Sequence, residues 1–271
     1  MSTAIISRLV SAEPVVKKQV ELNNGVLMPI LGFGTFRIKG YEVIHSVLDT
    51  ALQAGYRLIA PSDHGNYDVV SKAVKLSLKK LRTSYIDLYL IHWPGLQRTP
   101  SENDDNLKGR SESWAALSKI YLEDKTLRSI GVSNYTSKHL NQLLSKPSAV
   151  VPVVNQVEFH PYWQQSDEFH EIHNKANIIP QAYCSLGGSS VHKLLEDPIV
   201  KAVAEEKKFT SAQILLRWAL QRGYAVIPKS VTAGRIQENA DINFSLSDGS
   251  MTLISNIKTS EKFAWNPDVV S

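Results

Sequence analysis

Seven times along the chain, a short apolar run gives way to a segment with helical apolar spacing. The runs cover residues 30–36, 56–60, 87–92, 130–133, 150–158, 178–183 and 225–228. Each is apolar on both faces, as parallel strands covered on two sides must be. Strict alternation of strand and helix therefore predicts an α/β domain built on a parallel sheet. Ahead of the runs, Val20-Glu21-Leu22 and Val26-Leu27-Met28 flank Asn23-Asn24-Gly25, residues that tolerate positive φ, so an N-terminal β-hairpin is expected. No repeat and no linker-like segment divides the chain, and residues 1–271 are expected to form a single domain.

A parallel sheet of this kind is either open and doubly wound or closed into a barrel. The open form binds dinucleotides through a Gly-x-Gly-x-x-Gly turn after its first strand. Here that turn reads Gly32-Phe33-Gly34-Thr35-Phe36-Arg37, with arginine in the place of the third glycine. A barrel instead predicts polar residues at the carboxyl ends of several strands. His92, Ser133-Asn134, Asn155-Gln156, Glu158, Tyr183 and Lys229-Ser230 stand there. The expected architecture is thus a (β/α)₈ TIM-barrel plan with an N-terminal β-hairpin. One helix–strand unit is missing, because seven strands are counted and eight with matched tilt and shear close such a barrel. Seven strands either close under strain or leave two unpaired edges.

Composition narrows the function. The chain has 30 basic and 26 acidic residues, a formal charge of +4, too balanced to argue for nucleic acid and compatible with a small anionic ligand. Its one cysteine, Cys184, excludes an intrachain disulfide and suits a reducing compartment, so the cytoplasm is expected. No apolar run approaches the roughly 18 residues of a membrane span. Residues 1–14 carry Ile5, Ile6, Leu9 and Val10 but a single basic residue, Arg8, and are read as a frayed leader in preference to a transit peptide.

Three groups on the expected active face can carry chemistry. His92 closes the run Leu88-Tyr89-Leu90-Ile91; a core histidine bonded to backbone is the competing reading. Ser133, Asn134 and Gln156 can hold a planar carboxamide by paired hydrogen bonds, although Ser and Asn also cap helices. Lys229-Ser230-Val231-Thr232, with Arg235 and Asn239, enters a helix and offers an anion site, the alternative being a solvated basic helix start. Other patterns fail. His170 and His173 are three apart, not four as a zinc helix requires, no Gly-x-Ser-x-Gly occurs, and Cys184 has no evident base partner.

Together these segments resemble the aldo-keto reductases. The matching stretches are Leu22-Asn23-Asn24-Gly25 through Met28-Pro29, Gly32-Phe33-Gly34-Thr35-Phe36, Ala54-Gly55-Tyr56-Arg57, Ser84 through His92-Trp93-Pro94, Gly131-Val132-Ser133-Asn134, Asn155-Gln156-Val157-Glu158-Phe159-His160-Pro161-Tyr162 and Ile227-Pro228-Lys229-Ser230. The resemblance covers roughly residues 20–269 and implies a barrel that reduces aldehydes and ketones with NADPH, usually as a monomer. It implies that Ser133, Asn134 and Gln156 grip the nicotinamide carboxamide and that Tyr183 stacks on the ring. Thr35 and Leu186 are expected at the cofactor. Lys229, Ser230, Arg235 and Asn239 are expected at the adenosine 2′-phosphate, with Glu238 on the adenine side. Phe36 and Trp93 would line the substrate pocket, and His92 would orient the carbonyl. After Tyr183 the family often has Ser-Pro-Leu-Gly; Cys184-Ser185-Leu186-Gly187 stands here, which weakens one expected pyrophosphate contact.

The larger departure lies at the front. In the family an Asp-Thr-Ala and a Tyr-Gly-Asn-Glu follow Gly-Tyr-Arg, then a helix and a strand ending in Lys; Tyr is the proton donor, and Asp and Lys lower its pKa. Here Tyr56-Arg57-Leu58-Ile59 runs directly into Ala60-Pro61-Ser62-Asp63-His64. The missing piece has the size of a strand-to-strand connection, ~30 residues, and contains all three residues. Of the four catalytic residues only His92 is left; neither His64 nor Tyr67 is expected to stand in. Three expectations follow: an NADPH-dependent reductase of reduced activity, a non-catalytic NADP(H)-binding or interaction protein, or a splice or truncation variant that folds poorly.

Overall fold

The computed structural model describes residues 13–60, 70–145 and 150–271. The leader up to residue 12, the loop at 61–65 and the residues His64 and Tyr67 lie outside the described residues.

The hairpin forms as its turn residues dictate. β1 (Gln19–Glu21) and β2 (Leu27–Pro29) pair antiparallel with Val20 opposite Met28. Gly25 takes φ 82°, where an L side chain is strained. Asn23 Nδ2 donates to Pro152 O, and Asn24 Nδ2 to Arg128 O, so the turn is pinned to the amino-terminal ends of two later strands. Val20, Leu22 and Met28 are buried there as a plug.

Seven parallel strands follow: β3 (Phe33–Gly34), β4 (Ile59–Ala60), β5 (Tyr89–Ile91), β6 (Ile130–Ser133), β7 (Val154–Glu158), β8 (Ile179–Tyr183) and β9 (Ala225–Val226). β5 to β9 form one sheet in chain order, and β3 pairs with β4. A short seam of bonds joins the two groups. Leu31 bridges Val226 in parallel, Val226 N donates to Ile30 O and Gly32 N to Val226 O (both 2.8 Å), and Gly34 N donates to Pro228 O at 2.9 Å. The running order is thus β5-β6-β7-β8-β9-β3-β4. The end strands β4 and β5 share no ladder among the described residues. The opening falls where the sequence lacks its helix–strand unit. Side chains of β6 are buried throughout, whereas those of β4 and β5 are all partly exposed, as an unclosed edge requires.

The strands are shorter than their apolar runs. The run at 30–36 keeps a two-residue ladder, because its flanks bond singly to β9 on one side and to residues near β4 on the other. Two glycines permit close approach. A Cβ on Gly34 would lie 2.8 Å from Ile227 O, and one on Gly131 would lie 2.5 Å from Val154 O.

The helices are α1 (Tyr41–Gln53), α2 (Val70–Leu81), α3 (Asp105–Glu123), α4 (Ser137–Leu144), α5 (Asp167–Ala176), α6 (Val191–Leu195), α7 (Pro198–Lys207), α8 (Ser211–Gln221), α9 (Ala233–Ala240) and α10 (Asp248–Ser255). Three differ from the sequence reading. α3 begins well before residue 113, because the Asn/Asp-rich stretch is structural: Asn103 Oδ1 accepts from Asp105 N, and buried Asn106 accepts from Leu96 N and donates to Pro100 O. Three helices, not two, separate β8 and β9; Asp197 caps α7 by accepting from Ile199 and Val200, with Pro198 in the first turn. α10, capped by Ser247, was not expected at all. No described helix is long and apolar enough to cross a membrane.

The buried side chains form two clusters. The larger joins the hairpin, β3, β7 to β9 and the carboxyl-terminal helices around Phe159, Trp218 and Tyr224. The smaller joins β6, α3 and α4 around Trp114, Leu117, Ile130 and Leu140. A domain of this size ordinarily has one contiguous core. α1 reaches α9 across the β9–β3 join, where the buried Tyr56 hydroxyl donates to Ile236 O at 3.2 Å.

Substituting Gly131→Ala should force β6 away from β7. Overpacking of this kind costs about 1–3 kcal/mol; the urea midpoint of the variant is expected to fall, with unchanged slope.

Candidate functional site

The carboxyl ends of β5 to β8 meet in one hydrogen-bonded shelf. Ser133 ends β6, and Asn134 turns the chain at φ 63°, a left-handed conformation that Asn tolerates better than most residues. Ser133 Oγ donates to Gln156 O at 2.8 Å, and the Asn134 amide donates to the same oxygen at 2.9 Å. Asn134 Nδ2 donates to His92 O at 3.0 Å, and Tyr183 OH donates to Asn134 Oδ1 at 2.7 Å. Gln156 Nε2 donates to Gln181 Oε1 at 2.7 Å. The alternative in which Ser133 and Asn134 only cap a helix fails, because Thr136 is the N-cap of α4.

His92 stands one residue beyond β5, on the open side of the sheet, and Trp93 meets the Trp265 ring edge-on at 6.3 Å. Thr35 is tied to β4 through Ala60 O, which accepts from its amide at 3.2 Å. Phe36 is exposed, with the Arg37 guanidinium 4.9 Å from its ring centre. Leu186 packs partly buried on the larger core, inside the turn that Gly187 N closes onto Cys184 O. Burial, with Glu158 nearby, pushes the Tyr183 phenol well above its ordinary pKa and the Cys184 thiol to about 12, so neither is a base or a nucleophile at neutral pH.

The second group gathers at the start of α9. Lys229 and Arg235 are exposed and form no ion pair among the described residues. Ser230 is buried, with its Oγ accepting from Thr232 N at 3.1 Å. Thr232 makes no side-chain cap, so its side chain leaves the first amides of α9 open among the described residues. Two cations beside open helix amides suit a phosphate. Asn239 is buried in the last turn of α9, and Glu238 Oε1 accepts from Thr210 Oγ1 at 2.7 Å.

Other polar strand-end residues serve the scaffold. Asn155 turns away from the shelf, donating to Tyr135 O at 2.8 Å and to His173 Nε2 at 3.3 Å. His170 is held by Ser166 O and the Tyr224 hydroxyl. Glu158, noted in the sequence only as a polar strand end, has a function no local pattern signals. Its buried carboxylate accepts from His160 Nε2 at 3.0 Å, Lys262 Nζ at 2.6 Å, Phe263 N at 2.5 Å and Ala264 N at 3.1 Å. Burial alone would raise its pKa; the His160, Lys262 and Phe263 donors together hold it below the usual range.

Comparisons with known proteins show the family of the chain. The family model "Aldo/keto reductase family" matches residues 59–259, and the chain belongs to that family, whose members are oxidoreductases acting on carbonyl compounds. Among its relatives, the glyoxal reductase of Bacillus subtilis is 36% identical over 286 positions, covering 93% of this chain and 97% of the relative. That alignment is longer than the chain itself, so the relative has residues that this chain lacks. The 9,11-endoperoxide prostaglandin H2 reductase of Trypanosoma cruzi is 32% identical, covering 92% of this chain and 94% of that one. The crystal structure of an aldo-keto reductase from a Medee basin deep-sea metagenome superposes with a TM-score of 0.80 at 31% identity, over 93% of this chain and 99% of that one.

The scaffold histidines carry a pH signature. Burial, partly offset by the Val270 carbonyl, lowers His139 to about 4; burial, partly offset by the Phe169 carbonyl, lowers His173 to about 3. Both are fully buried and neutral, so the unfolded chain binds their protons first. Their stabilisation is complete above the unfolded value near pH 6.5 and is lost as pH falls towards 4 and then 3. His139 alone accounts for a loss on the order of 3 kcal/mol. Urea midpoints measured from pH 7 to pH 4 are expected to fall steadily, and a flat profile across that interval would contradict this account.

Proposed function

We propose that the chain binds NADPH on its preserved face and reduces small aldehydes or ketones slowly, because the segment that would carry the family's Asp, Tyr and Lys is absent. The observation that carries this reading is the intact shelf from His92 to Tyr183 beside an opening between β4 and β5. Lys229 and Arg235 with the α9 amides suit the 2′-phosphate, Ser230 and Asn239 support that end, and Glu238 lies at the adenine side. Ser133, Asn134 and Gln156 exchange bonds within the shelf for bonds to the carboxamide, and Tyr183 offers its ring. Thr35 and Leu186 flank the cofactor path, and Phe36 and Trp93 line the carbonyl pocket.

When bound, NADPH supplies the hydride. His92 orients the carbonyl oxygen and is the family's one remaining donor there. Loss of a placed general acid removes about 10²–10⁴-fold, which sets the expected deficit in turnover. The absent Tyr and Lys favour a second reading, a protein that binds NADP(H) without turnover. Location in the cytoplasm and a monomeric state accompany both readings.

Titration with NADPH is expected to quench protein fluorescence and raise the melting temperature. Arg235→Ala should weaken NADPH about tenfold while leaving NADH binding unchanged, since one charge contact to the phosphate is lost. Slow NADPH oxidation with glyoxal or 4-nitrobenzaldehyde supports the reductase. Binding without oxidation supports the second reading, and neither signal with a broad melt marks a poorly folding variant.

A further inference from the structure

The carboxyl-terminal tail crosses the mouth of the sheet between two anchors. At the far end, Val270 is buried, His139 Nε2 donates to Val270 O at 3.1 Å, and the Arg110 guanidinium donates to Ser271 O at 3.0 Å and to Pro94 O at 2.8 Å. At the near end stands Glu158, last residue of β7 and opposite Tyr183 in the ladder. All four of its donors are in place, and three belong to the consecutive residues Lys262, Phe263 and Ala264. Phe263 also stacks on the buried His160 ring at 4.7 Å. A buried carboxylate is stable only when so satisfied, so the tail cannot lift without leaving a buried charge short of partners. Trp265 follows directly, is largely exposed, and meets Trp93 edge-on.

We propose that Glu158 is a positioning residue for substrate selection: through the backbone of Phe263 and Ala264 it holds Trp265 against Trp93 and so sets one wall of the carbonyl pocket. The function of that wall rests on the reductase reading above; the fixing of the tail does not. The carboxylate touches no reacting atom, so its removal should act on KM for the carbonyl compound more than on kcat.

The test uses the full chain labelled with 5-fluorotryptophan, the Trp265 resonance being assigned with W265F. In Glu158→Ala, the Phe263 and Ala264 amides should exchange hydrogen at least tenfold faster, and the Trp265 resonance should shift. Peptides from β6 and β8 should keep their protection. Glu158→Gln, which retains an acceptor oxygen for the Phe263 amide, should restore part of both signals. A folded Glu158→Ala with unchanged tail exchange and an unmoved Trp265 resonance overturns the proposal. If Glu158→Ala does not fold, Lys262→Met removes one donor and leaves the carboxylate; it should speed tail exchange about threefold, and no change there overturns the proposal equally. With NADPH and 4-nitrobenzaldehyde, KM should rise at least fivefold more than kcat falls, and equal effects overturn the pocket role. A wild-type chain that neither binds NADPH nor consumes it defeats the reductase reading, while exchange and fluorine spectra still decide the tail.

Discussion

The parallel ladder from β6 to β8 is the constraint on which the rest of the site depends. It fixes Ser133 opposite Gln156, Gln156 opposite Gln181 and Glu158 opposite Tyr183. That register brings a hydroxyl, two amides and a phenol from different strands within bonding range without flexible loops. It also leaves Gln156 O as the common acceptor for Ser133 and Asn134, so the turn after β6 is set by β7. Sites carried on strands hold their geometry more closely than sites carried on loops. The shelf is thus preorganised by the sheet.

The opening between β4 and β5 divides the molecule energetically. The larger core supports the hairpin, β3, β9 and the helices around the start of α9. The smaller supports β6 with α2 to α4, beside which β5 and His92 sit at the open edge. The start of α9 therefore rests on the better-buried part, and His92 on the less-buried part. Edge strands also offer unpaired amides and carbonyls to other chains, a liability that a closed barrel does not share.

Much of this was legible before any coordinates. Seven apolar runs became seven parallel strands, and the glycine of Gly131-Val132-Ser133-Asn134 marks the place where β7 leaves no room for a Cβ. The junction after Ile59 marks the opening because strand and helix periods are local properties. What escaped depends on distant partners. The early start of α3 hides behind Asn103 and Asn106, which look like loop residues until their bonds to Pro100, Ser101 and Leu96 are seen. Glu158 looks like one more polar strand end, because three of its four donors lie about a hundred positions away in the chain. Asn155 and Gln156 are neighbours in sequence, yet alternation along the strand sends one to His173 and the other to the shelf.

A closed ring of strands supports each member from two sides. Here β3 and β4 reach the main sheet through the bonds of Gly32 to β9 and of Gly34 to Pro228 just beyond it, and through α1 against α9. Mechanically they form a cantilever rooted at β9 through β3, with β4 as its outer strand among the described residues. Small rotations at its root are magnified at β4, so the width of the opening that β4 borders is governed from the glycine bonds beside β9, one strand removed from the break.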